Sequence, residues 1–151
     1  VSDSRQYPER PIVGVGAVIV DDGKVVLIRR KYEPLKGHWS LPGGMVEIGE
    51  PLETALTREM QEETALVVDV GPVIEVFDRI MRDEQRRVRY HFVLIDYLCW
   101  PSSGTLRAGS DVDDAIWADP SALAPYSLTE KATSVIQRGL TLAREAPRPV
   151  R

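Results

Sequence analysis

Residues 44–66 read GMVEIGEPLETALTREMQEETAL, and how this stretch folds decides how the chain folds. Glu59, Glu62 and Glu63 follow a glycine-rich turn at spacings of three and four residues. Residues so spaced are neighbours on one helix face, about 5–6 Å apart at Cβ. Each close pair of like charges costs roughly 3 kcal/mol at an effective dielectric of about 20. A whole domain is stable by only about 5–15 kcal/mol. The cluster therefore needs either a cation among the acids or water around them. Leu52, Ala55 and Leu56 form an apolar stripe at the helical period, and extending it two turns leads to the three glutamates. A helix built only for packing would carry Leu or Ile there. Unpaired buried charge is expensive. A hard divalent cation such as Mg²⁺ takes oxygen ligands and bridges carboxylates to substrate phosphates. Taken alone, three glutamates also read as a solvated helix surface.

The surroundings narrow the choice. Gly44, Glu50, Arg58, Glu59, Glu62 and Glu63, with Met60 and Leu66 at the aliphatic positions, stand in the register of one motif. It runs Gly, five residues, Glu, seven residues, Arg-Glu, an aliphatic, any residue, Glu-Glu, any residue, Gly, an aliphatic. The stretch resembles the Nudix hydrolase family, the MutT-like pyrophosphohydrolases. A chance match at the six Gly, Glu and Arg positions is about one in ten million per start at average composition. The lead-in Trp39-Ser40-Leu41-Pro42-Gly43-Gly44 is also similar to the family's. One position departs: Ala65 stands where the family has Gly. A left-handed helix end there costs Ala about 1–2 kcal/mol.

The resemblance implies a fold, a reaction and a site. The fold is α/β, an α/β/α sandwich around a mixed sheet. The reaction is divalent-metal-dependent hydrolysis of the pyrophosphate bond in a nucleoside diphosphate linked to another moiety, either ADP-ribose-like or a nucleoside triphosphate. The cofactor is Mg²⁺, with Mn²⁺ as the alternative. Glu59, Glu62 and Glu63 are implied as metal-binding acids, one of them also the base, and the Gly43 carbonyl as a further ligand. Arg58 is implied to brace the loop through Glu50 or Glu47. A further acid is expected from a loop beyond the sheet. Asp111, Asp113 and Asp114 are the candidates ahead of Ile116-Trp117, and register favours Asp111. Arg29 or Arg30 is placed to reach phosphates. Trp39, Tyr32 or Phe77 is a candidate to stack on a base, with Gly43 and Gly44 lining the turn beneath the substrate. Ile80-Met81-Arg82-Asp83 lacks a proline that marks ADP-ribose enzymes, whereas Arg89 to Tyr97 is similar to small bacterial members grouped with them. A nucleotide-binding regulator on the same fold, without catalysis, is the alternative function. Three retained, mutually repelling acids argue against it.

The rest of the chain sets bounds. Its 151 residues form one domain, residues 1–151, with tails at 1–11 and 146–151. Nineteen basic and 23 acidic residues give a net charge of −4, and Arg82, Arg86, Arg87 and Arg89 interleave with Asp83 and Glu84 as a charged loop. No nucleic-acid polymer is an expected partner, whereas a homodimer is allowed. The one cysteine, Cys99, reads as a buried apolar residue. His38 and His91 lack ligand spacing. No run of 18 apolar residues is present, so no membrane association is expected and a cytoplasmic location is the default. Strands are predicted over Ile12–Val20, Val25–Arg30, Val67–Phe77 (one or two, broken at Gly71-Pro72), Val88–Cys99 and Ala115–Ala118. Tyr32–Ser40 and Pro101–Val112 read as loops. Helices are predicted over Pro51–Thr64, from Asp119-Pro120, and from a Ser127/Glu130 capping box to about Ala143.

Overall fold

The computed structural model describes residues 4–145 and Arg148; residues 1–3, 146–147 and 149–151, parts of the two expected tails, lie outside the described residues. The first strand, β1 (Ile12–Asp21), carries the apolar run and turns at Gly23 into β2 (Lys24–Arg30). The two pair antiparallel only at their tips, Val20 with Val25 and Asp21 with Lys24. Beyond that point they diverge. The body of β1 runs parallel to β6 (Val88–Ser103) from Ile12/Phe92 to Ile19/Cys99. The far side of β6 pairs antiparallel with β5 (Val67–Arg82). The free side of β1 takes β4 (Gly43–Met45) antiparallel at Gly14, Val15 and Gly16. Strand β2 is flanked by β3 (Trp39–Ser40) and β7 (Val112–Ala118), both antiparallel. One parallel junction among antiparallel pairs makes the sheet mixed.

A helix lies on each face. Helix α1 (Leu52–Thr64) buries Ala55, Leu56, Met60 and Thr64 against Val15, Ala17, Ile19 and Cys99. Helix α2 (Glu130–Glu145) buries Val135 and Ile136 against Val18, Leu98 and Trp100. The alternation of β1 side chains sends Val15, Ala17 and Ile19 to one helix and Val18 to the other, which is the period-two rule at work in a strand covered on both faces. The result is the α/β/α sandwich expected from the motif. Cys99 is fully buried, and burial pushes its thiol up to about 12. Among the described residues no helix is long and apolar enough to cross a membrane. Within the expected N-terminal tail, Tyr7 donates its N–H to the Arg89 carbonyl and its hydroxyl to Asp83, which also accepts from Arg87 and organises the basic loop.

Several sequence expectations are corrected. Gly43 and Gly44 belong to a short strand rather than a free turn. Strand β5 passes through Gly71-Pro72 with a register shift between Val70 and Val73, so the proline sits in a bulge, where its missing N–H breaks no ladder bond. Asp119-Pro120 forms a turn whose Asp119 carboxylate accepts from the Ser121 N–H and hydroxyl, and the helical turn comes later, at Ala124–Tyr126. Ser127 is left-handed, with φ 49°, and the cap of α2 is Thr129, whose hydroxyl oxygen accepts from the Ala132 N–H at 3.1 Å.

Ala65 adopts the left-handed conformation, φ 63°, and its N–H donates to the Gln61 carbonyl. Ala65→Gly therefore removes a steric penalty and adds chain entropy to the unfolded state. The expected net is a gain of about 0.5–1 kcal/mol, read as a raised denaturant midpoint with unchanged slope. A lowered midpoint would refute the strain at this cap.

Candidate active site

The motif builds a braced corner. Arg58 donates from Nε to Glu50 at 2.8 Å and from a terminal nitrogen to the same carboxylate at 2.9 Å, a bidentate fork. It also donates to the Met45 carbonyl at 3.0 Å and to Glu59 at 2.8 Å, while Glu47 lies at 3.9 Å. The guanidinium holds Glu50 down to about 2, well below the usual carboxylate range. Glu50 in turn accepts from the Glu47 N–H at 3.0 Å, closing the loop between β4 and α1.

The acids of α1 do not share one environment. Glu59 lies over β4 so closely that a Cβ built on Gly44 would fall 2.0–2.4 Å from its carboxylate; only glycine fits beneath it. Glu63 reaches the same strand and accepts from the Gly43 N–H at 2.9 Å. Glu62 points away, its side chain 51% exposed beside Arg58. The apolar stripe therefore continues through Met60 and Thr64 rather than through Glu62, which corrects the reading of three acids on one buried face.

Asp111 joins Glu59 and Glu63 because the loop after β6 caps α1. The Arg107 N–H donates to the Thr64 carbonyl at 2.9 Å and the Gly109 N–H to the Glu63 carbonyl at 3.2 Å. These bonds satisfy carbonyls that every helix end leaves open. A Cβ on Gly109 would lie 1.8 Å from the Glu62 carbonyl, so the close approach requires glycine. Two residues later Asp111 enters the cleft with Glu59 and Glu63. Asp113 and Asp114 fall within β7 instead, and Asp114 accepts from the Ala115 N–H.

The cleft holds about 430 Å³. Arg30, Trp39, Gly43 and Gly44 also line it. Arg30 donates to the Pro34 carbonyl at 2.6 Å, and burial lowers its pKa against the attraction of Glu63. Trp39 meets Tyr126 edge-on at 5.4 Å, and Arg29 sits over its ring at 5.7 Å. Tyr32 and Phe77 border the cleft as well. Sequence reasoning passed over Arg79, Asp96 and Lys131, which line it too. No local signal marked them, because they are charged residues on two strands and a helix brought together only by the sheet register.

Charge in the corner is unbalanced. Burial pushes Glu63 up to about 8; the Gly43 N–H opposes this, while Glu59 and Asp111 add to it. Glu59 is also raised, by burial first, against its bond to Arg58. Among the described residues no three His, Cys, Asp or Glu side chains already close on one point. The donor chemistry nevertheless fits a hard divalent cation. Glu59, Glu63 and Asp111 offer only oxygen, and the charge they lack is positive.

The imbalance has a consequence without metal. An unfolded glutamate titrates near about 4.3. Glu63 in the folded chain titrates near about 8, so between these values the folded state binds a proton that the unfolded state does not. Stability in chelator should then fall as pH rises from about 4.5 to about 8, by on the order of a few kcal/mol. Glu63→Gln should remove most of that slope, leaving the parts due to Glu59 and Asp96, which burial also raises. Denaturant melts at several pH values measure it; an unchanged slope in the variant would contradict the assignment.

Comparison with known proteins bears on the family and the fold. The sequence model of the NUDIX domain matches residues 10–139. An ADP-ribose pyrophosphatase of Methanocaldococcus jannaschii is 39% identical over 109 residues, 72% of this chain and 62% of that protein. A MutT-like protein of Streptomyces ambofaciens is 32% identical over 113 residues, 75% of this chain and 66% of that protein. The chain thus spans a little under two thirds of the length of these relatives. The crystal structure of a MutT NUDIX hydrolase from Burkholderia pseudomallei superposes with a TM-score of 0.75 at 35% identity, covering 86% of this chain and 98% of that one.

Proposed function

The chain belongs to the NUDIX family, and on that premise we propose that it hydrolyses the pyrophosphate bond of a nucleoside diphosphate linked to a second moiety. The observation that carries the reading is the meeting of Glu59, Glu63 and Asp111 in one cleft where Glu63 is pushed up to about 8. Mg²⁺, or Mn²⁺ in its place, is the proposed cofactor, held by Glu59, Glu63 and Asp111, with Glu62 and the Gly43 carbonyl at the margin. When bound, such a cation neutralises phosphate charge and acidifies an attacking water. The chain's own groups do the rest. Arg30, in the cleft beside Glu63, takes substrate phosphate oxygens. Among the three acids of the corner Glu63 is pushed up to about 8, which suits a general base. Arg58 touches no substrate; it keeps Glu59 and the loop in place. The identity to an ADP-ribose pyrophosphatase favours an ADP-ribose-like substrate over a nucleoside triphosphate.

A hydrolysis screen tests this, with ADP-ribose, nucleotide sugars, nucleoside triphosphates and dinucleoside polyphosphates under Mg²⁺ and Mn²⁺. Release of a nucleoside monophosphate, fastest from an ADP-ribose-like compound, is expected. No cleavage of any of them by folded protein would overturn the proposal. In the same assay Asp111→Asn should slow turnover by about a hundredfold or more. Asp113→Asn and Asp114→Asn should stay within a few-fold of wild type. Equal effects at all three positions would place the extra acid elsewhere.

A further inference from the structure

The sheet register places three residues in one row. Asp96 of β6 stands beside Gly16 of β1, and Gly16 stands beside Gly43 of β4, whose N–H holds Glu63. Neighbouring strands lie about 4.8 Å apart, so Asp96 is about 10 Å from the strand that anchors the acids. Its side chain lies on the sheet face beside Gly16, where a Cβ would come within 2.5 Å of its Oδ1. Gly14 and Gly16 line the cleft, and the Leu94 and Asp96 side chains lie over them.

Asp96 is only 7% exposed, yet no hydrogen bond from another described residue supports it. Its surroundings are charges at longer range. Arg79 and Lys131 attract it and Glu75 repels it, while burial pushes it up to about 6. Glu75 has its own partners, Lys131 and Arg138. Arg79 is likewise partly buried, with Asp96 as its one raising influence and no ion pair closed between them. Among the described residues no side-chain nitrogen or oxygen is sealed from solvent without a partner, so the polar atoms of Asp96 and Arg79 open into the cleft. An open acceptor and an open donor at the floor of a substrate cleft are explained by a ligand that bonds to both.

We propose that Asp96, with Arg79 beside it, is a specificity-determining residue that binds the vicinal hydroxyls of the pentose esterified to the phosphate under attack. This rests on the hydrolase reading above and names the part of the substrate it left open. An ionised carboxylate only accepts, so it repels phosphate and needs O–H or N–H donors. Two adjacent hydroxyls present two such donors to its two oxygens. Arg79 supplies donors to the same hydroxyl oxygens and offsets the carboxylate charge. A pentose offers this pair of adjacent donors whatever base it carries.

The test is a matrix of substrates against variants. ATP, 2′-deoxy-ATP, 2′,3′-dideoxy-ATP and GTP are compared with ADP-ribose and its analogues lacking the hydroxyls of either pentose. Wild type should lose about 10- to 100-fold in kcat/KM when the bound pentose loses its hydroxyls, the scale of a hydrogen bond to a charged group. In Asp96→Ala that ratio should fall to within about threefold, and Asp96→Asn should lie between. A merely structural Asp96 would lower all substrates together and leave the ratio unchanged, which overturns the proposal. A wild type indifferent to the hydroxyls overturns it too. So does a preference that follows the base, GTP against ATP, and is lost in Asp96→Ala, because that places a guanine edge on the carboxylate. If no compound is cleaved, the hydrolase reading falls, and calorimetric binding of the same set gives the ratio that decides this one.

Discussion

One guanidinium holds the active corner together. Arg58 spans Glu50, Glu59 and the Met45 carbonyl at 2.8–3.0 Å, and so joins the end of β4, the connecting loop and α1. Without it Glu59 would press against Gly44 as an uncompensated, half-buried charge, and the loop from Val46 to Pro51 would lose its tie to the helix. The geometry is a planar fork on a carboxylate plus a third and fourth direction. Lysine, a point charge on a flexible stem, does not reproduce it. The attachment of α1 to the edge of the sheet depends on this contact as well as on Leu56 and Met60 in the core.

The same contact explains why neighbouring carboxylates move in opposite directions. Glu50 has the guanidinium to itself at close range and is held down to about 2. Glu63, four residues beyond Glu59, has one backbone N–H and only the more distant Arg30, so burial wins and it rises to about 8. Arg58 pairs with Glu50 and Glu59 at hydrogen-bond distance, whereas Glu63 feels only the longer-range attraction of Arg30.

The helix was legible in local spacing, and its left-handed end at Ala65 through the resemblance, whose motif has Gly there. Sequence reasoning put Glu62 on the same buried face as Glu59 and Glu63, whereas its side chain is 51% exposed. Spacings of three and four both count as one face, but at about 100° per residue Glu62 and Glu63 diverge by about 100° around the axis. Glu63 therefore turns toward the strand and Glu62 toward water. Strand β4 was illegible for another reason. Gly43-Gly44-Met45 has little strand propensity of its own, and it is a strand only because Gly14–Gly16 offers it an edge. Asp96 was illegible in the same way, since the parallel pairing of β1 with β6 joins residues about 80 positions apart, and Arg79 joins it through the pairing of β5 with β6.

That pairing also explains why the cleft exists at the place where the acids are. A sheet covered on both faces normally fills every inward position with a side chain, as Val18, Leu98 and Trp100 do beneath α2. Further along the same face Gly14 and Gly16 stand in their place, and the first turn of α2, with Lys131, borders the cleft. The missing side chains let Asp96 lie flat on one side of the row. On the other side Gly43 brings its N–H to Glu63, and Gly44 leaves the space that Glu59 occupies. A methyl group at Gly16 or Gly44 would press on a carboxylate, so the same absence of volume sets both the depth of the cleft and the positions of the charges around it.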